Sequence, residues 1–147
     1  MGNRAVITTN KNLEETGVYL HWNGGRDSVE AFLAYCDLKR YRTPDEDCYG
    51  WSYLACVICN TFGDGLSCGV DNCANLDCDN YDNGVYIVKG WRIVDRVYKR
   101  YGEQLEYDLK DAIEQIDANQ PDHMRLTDEE CKRMDEVIKD VIAHRNT

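Results

Sequence analysis

No run of apolar residues in this 147-residue chain approaches the roughly 20 that cross a bilayer, so no membrane span is expected. Basic residues are few as well: 17 Lys and Arg stand against 27 Asp and Glu, a formal charge of −10. An acidic surface repels phosphate backbones, which disfavours direct nucleic-acid binding and favours a basic protein partner. The imbalance is concentrated from position 103 onward, where 13 acidic residues face 6 basic ones. The opening MGNRAVITTN lacks the apolar segment of a secretory signal, and Val6 stands where N-myristoylation needs Ser or Thr. A cytoplasmic setting is the expectation, and stable disulfides are not expected there. No Ser/His/Asp or paired-carboxylate arrangement is visible, so the chain is read as a binding protein and not an enzyme. With 43% hydrophobic residues it is long enough for one domain, 1–147, and too short for two.

Cysteine, by contrast, is plentiful, and six of the eight fall between Cys48 and Cys78. Cys56 and Cys59 form a C-x2-C pair, Cys73 and Cys78 form a C-x4-C pair, and Cys68 lies between. Two close thiolate pairs joined by a short connector suit tetrahedral Zn2+, since each pair supplies two soft ligands from a short piece of backbone. The segment 48–84 is therefore expected to hold a structural zinc on Cys56, Cys59, Cys73 and Cys78, with Cys68 in reserve. Buried free thiols packing as small hydrophobes are the alternative. A redox C-x-x-C is a weaker one, because no parallel βαβ unit precedes Cys56.

The patterning predicts an α+β fold, an antiparallel sheet of about five strands with four helices in the order ββααβββαα. Arg4 to Thr8 and Gly17 to Trp22 read as a hairpin. Asp27 with Glu30 resembles a capping box before the apolar stripe Val29, Phe32, Leu33, Cys36. A second helix is expected over Tyr49 to Phe62, a strand over Leu66 to Val70, and a hairpin turning at Lys89-Gly90. Leu105, Leu109, Ala112, Ile113 and Ile116 define an acidic helix, and Thr127 with Glu130 caps a last one with Cys131, Met134, Val137, Ile138 and Val141 on its buried stripe. The polar loop from Asp71 to Gly84 needs something to order it, and a metal on Cys73 and Cys78 would do so. Calcium is not expected: an EF-hand opened at Asp77 or Asp79 puts Val88 or Gly90 at the position of the bidentate Glu. A turn of Asx residues bonding their own backbone is the better reading of that run.

Asn23-Gly24-Gly25-Arg26, between a strand and a helix N-terminus, could hold an anion on backbone N–H groups, with Arg26 adding charge and His21 nearby. The commoner reason for such glycines is conformational.

The runs GNRAVIT, VYLHWNGGRDSVEAFL and NLDCDN-x-DNGVYIV resemble a family of small proteins encoded by bacterial phages and mobile elements, over about two thirds of the chain. That resemblance implies no catalytic residues. In this mobile-element context an acidic, cysteine-rich chain is also similar in character to zinc-binding type II-A anti-CRISPR inhibitors, which bind Cas9 in the host cytoplasm and hinder its engagement of DNA. Such a role would use Glu103, Glu106, Asp111, Glu114, Asp128, Glu129 and Asp135 to meet a basic surface of Cas9. The alternative is sequestration of a nucleotide at Asn23, Gly24, Gly25 and Arg26, with Lys89 and Arg92 in support.

Overall fold

The segments Ala5–Thr8 (β1) and Val85–Lys89 (β4) are mostly apolar and, up to the exposed Lys89, buried on both faces, and they form the centre of the sheet in the computed structural model, which describes residues 2–63 and 67–145. With Thr16–Leu20 (β2), Cys68–Asn72 (β3) and Arg92–Val97 (β5) they make five strands in the order β3-β2-β1-β4-β5. The helices are α1 (Arg26–Leu38), α2 (Tyr49–Phe62), α3 (Leu109–Ala118), the one-turn α4 (Asp128–Cys131) and α5 (Met134–His144). The α+β class and element order match the expectation. The wholly antiparallel sheet does not: β1 and β4 run parallel, so the sheet is mixed. After β2 the chain forms α1, α2 and β3 before returning along the far side of β1, and this crossover gives β4 the direction of β1. Continuous apolar runs such as AVIT and VYIV are what strands covered on both faces look like.

One face of the sheet, with Ala5, Ile7, Val18, Leu20, Tyr86 and Val88, packs against the helices. α1 is the central helix, buried at Val29 to Cys36 and packed against α2, α3 and α5. Burying a Leu, Ile or Val here stabilises by roughly 1.5–3 kcal/mol, against about 0–1 for a surface ion pair, so this layer holds the fold. The opposite face, with Val6, Val85 and Ile87, is covered by the 73–78 segment.

Local signals fared unevenly. The β4–β5 hairpin turns at Gly90, whose φ of 63° suits the first turn position of a two-residue connection. Thr127 and Glu130 form the expected capping box. Asp27 and Glu30 do not: Gly25 is the N-cap with no side-chain cap, and Glu30 is buried among arginines instead. The last helix is broken after Cys131, which is exposed and off the buried stripe, and α5 starts at Met134. Leu105 lies before α3 in irregular chain and is exposed, because Asp108 caps the helix by accepting the Asp111 N–H. Leu66, expected to open β3, lies outside the described residues.

The loop before β4 is ordered by an Asx turn. Asn80, fully buried, accepts from the backbone N–H of Asp82 and Gly84 and donates to the carbonyls of Asp77 and Gly84. Arg4, just before β1, bonds Asp82 at 2.7 Å. Among the described residues no helix is long and apolar enough to cross a membrane.

Candidate functional site: an arginine cleft and two thiol pairs

The turn entering α1 is built by close packing. Asn23 carries the left-handed φ of 57°, while Gly24 is buried where an added Cβ would lie 2.4 Å from the Asn3 carbonyl oxygen. The Gly24 carbonyl accepts a 2.8 Å bond from the Tyr86 hydroxyl, which ties the turn to β4. Burial pushes the Tyr86 phenol far above its ordinary value, so it stays protonated as that donor.

The turn aims Arg26 into a cluster of five charges. Arg26 bonds Glu30 one helical turn on at 3.0 Å and also meets Glu103, from the irregular segment before α3. Arg96 of β5 bonds the other oxygen of Glu103 and stacks over the Tyr86 ring at 3.6 Å. Arg145, past the end of α5, clasps Glu30 at 2.6 Å and donates to the Tyr107 hydroxyl and the Leu105 carbonyl. The three arginine side chains are only 9–11% exposed and Glu30 4%. Burial alone would raise the Glu103 carboxyl, but Arg96 and Arg26 outweigh it and hold the group below the ordinary range.

Two clefts meet at this cluster. One, of about 300 Å³, includes Asn3, Asp82, Asn83 and the rim residue Tyr101, which is 70% exposed. The other, of about 530 Å³, adds Asp95, His144 and Arg145. Arg26, Arg96, Lys99 and Glu103 line both, so the Glu103 bridge stands between them. In the larger cleft Arg26, Arg96, Lys99 and Arg145 outnumber the carboxylates Asp95 and Glu103 even when Glu30, the partner of Arg26 and Arg145, is counted with them, and Asp95 is itself paired with Lys11 at 2.9 Å. A cationic recess in a chain of charge −10 is a local reversal of sign, and it suits an anion.

Arg26 is the one residue of the expected anion turn that supplies charge here. Lys89 is exposed at the end of β4, and Arg92 is held by Asp37 at 2.7 Å and Asp140 at 2.8 Å. Glu30, Arg96 and Arg145 were not anticipated. The i, i+4 spacing of Arg26 and Glu30 was legible as a helical ion pair, whereas Arg145 arrives from the far end of the chain.

The cysteines do not converge as one four-thiol set. Cys59 and Cys68 come together, Sγ to Sγ 2.8 Å, between α2 and β3. Cys68 pairs across the sheet with Leu20 and faces the helices. Cys73 and Cys78 lie on the opposite face with Val6 and Val85, where the Cys73 Sγ sits against Gly17. Cys56 is apart from both, exposed, with its Sγ 3.8 Å from the Met124 Sδ. The sheet thus separates the pairs that the spacing joined, and among the described residues no group of three or more His, Cys, Asp or Glu gathers in ligating range. Burial and the neighbouring Cys59 push the Cys68 thiol up to about 12, and burial and Cys73 push Cys78 up to about 11.

Of the acidic residues expected to meet a partner, Glu106, Asp111, Glu114, Asp128, Glu129 and Asp135 are exposed. Glu103 is not available to a partner, being taken up by Arg26 and Arg96. A groove of about 470 Å³ between α1 and α3 carries Asp27, Asp108 and Asp111 and no Lys or Arg.

The architecture is thus a mixed-sheet α+β protein with an arginine-lined cleft where the irregular segment before α3 crosses the edge of the sheet. No family model, no curated protein and no solved structure matches the chain.

Proposed function

We propose that this protein binds a phosphate-bearing small molecule, a nucleotide, in the arginine cleft and holds it without chemical turnover. The observation that carries the reading is the convergence of Arg26 and Arg96 on the two oxygens of one carboxylate, Glu103: the pair forms a seat for an oxyanion. Lys99 and Arg145 add charge beside it, and Tyr101 at the rim offers an exposed ring on which a base stacks. Calorimetric titration with adenosine diphosphate tests this. Binding is expected for the wild type and about tenfold or greater weakening for Arg96→Met, the order of one charge-assisted bond. Equal heats for both proteins would sink the reading.

A second reading, Cas9 inhibition through an acidic face, draws support from the exposed carboxylates of α3 to α5 and from the groove of Asp27, Asp108 and Asp111, which would take a basic side chain. A pull-down with Cas9 across a salt series tests it, and capture that is absent or indifferent to salt would overturn it.

A further inference from the structure

We propose that Glu103 is a built-in occupant of the anion seat, which an incoming phosphate displaces, and that this exchange releases the chain segment 99–106. The inference rests on the reading of the arginine cleft as a phosphate site.

Glu103 holds the place an oxyanion would take, with one oxygen on Arg26 and the other on Arg96. An arriving phosphate would therefore find the guanidiniums oriented, and the arginines would exchange one anion for another without being left unpaired. The segment that carries Glu103 has few other attachments. Between β5 and α3 it contains neither helix nor strand, Tyr101 is 70% exposed, and a Cβ on Gly102 would meet nothing within 4 Å. Its inward ties are Glu103 itself and the Leu105 carbonyl, bonded to Arg145 at 3.0 Å, and at the surface Arg100 lies over the exposed Tyr81 ring at 4.3 Å. The two inward ties end on cleft arginines, so a ligand engaging those arginines competes for them and leaves only the exposed Arg100–Tyr81 contact to hold the segment.

The tether also sets a threshold. A carboxylate on a short flexible segment competes at an effective concentration of about millimolar, which reduces the apparent affinity of any free anion by the fraction of time the seat is open. The cleft would then respond to a ligand only above a set level, and occupancy would be reported by the exposed stretch Tyr98-Lys99-Arg100-Tyr101.

Pyrophosphate is the probe, and Glu103→Gln is the variant, since it removes the competing charge at nearly constant shape. We expect Glu103→Gln to bind pyrophosphate about tenfold more tightly than the wild type, a change of roughly 1.4 kcal/mol. We also expect pyrophosphate to accelerate trypsin cleavage after Lys99 and Arg100 in the wild type, a readout that needs no variant. If the wild type binds pyrophosphate, Arg96→Met does not, and Glu103→Gln binds no tighter with cleavage unchanged, the displacement is refuted while the phosphate site stands. If neither the wild type nor Glu103→Gln binds pyrophosphate, the phosphate site itself is refuted.

Discussion

Removal of the Glu30 carboxylate should be a severe change outside the apolar core. The group is 4% exposed and is the shared counter-ion of Arg26, at 3.0 Å, and Arg145, at 2.6 Å, whose side chains are 10% and 9% exposed. An exposed pair would cost about 0–1 kcal/mol to break, but burial decides against that figure: removing one member of a buried pair leaves an uncompensated charge and costs about 3–5 kcal/mol. Against a total stability of roughly 5–15 kcal/mol this is a large share. At roughly 2–4 °C per kcal/mol for a chain of this size, Glu30→Gln should lower the melting temperature by about 10 °C, read by thermal circular dichroism. The double variant Glu30→Gln/Arg145→Gln removes one of the stranded charges and should recover part of the loss, with a coupling of about 0.5–3 kcal/mol. A Glu30→Gln protein melting within about 2 °C of the wild type would refute the reasoning, since Glu30 would then behave as a surface charge.

Acid should destabilise the protein through Glu103 and Glu130, whose folded values are lowered, in each case because arginine or lysine partners outweigh burial. Lowered groups contribute stability that is complete above the unfolded value of about 4.5 and is lost as pH falls through the folded one, so melting temperature should drop below about pH 4.5 and a rise there would contradict this. Cys68 and Cys78, pushed up to about 12 and about 11, act with the opposite sign: their contribution is complete below about pH 8.5 and is lost as pH rises through those values, visible as alkaline loss of stability. At neutral pH iodoacetamide should label the exposed Cys48, Cys56 and Cys131 before the buried Cys36, Cys73 and Cys78, and equal rates would contradict the burial. The split of the thiol pairs across the sheet predicts that zinc-loaded protein shows no four-sulfur coordination by X-ray absorption, and one zinc per chain with four sulfur ligands would overturn their placement.

What the sequence disclosed depended on how local the determinant was. Helix α2 was legible from end to end because Trp51, Leu54 and Ile58 step at helical spacing between a polar connector and Gly63. The capping box of Thr127 and Glu130 and the Asx turn around Asn80 were legible because each closes within a few residues. The parallel pairing of β1 and β4 was not, since strand direction is set by a crossover of two helices and two strands and leaves no trace in either run. The placement of the cysteines was not legible for the same reason: Cys59 and Cys73 are close along the chain, and β3 between them carries them to opposite faces of the sheet. The candidate site was half legible. Arg26 was placed by its turn, but Arg96, Glu103 and Arg145 reach it from β5, an irregular segment and the end of the described chain, and only the folded packing brings them together.

The central claim, that Arg26 and Arg96 form an oxyanion seat, is tested most directly by a crystal structure of the protein grown with pyrophosphate. The account predicts phosphate density within hydrogen-bond distance of both guanidiniums, with the Glu103 carboxylate moved off them. Density for Glu103 still bridging Arg26 and Arg96 under saturating pyrophosphate, with no anion in either cleft, would contradict it.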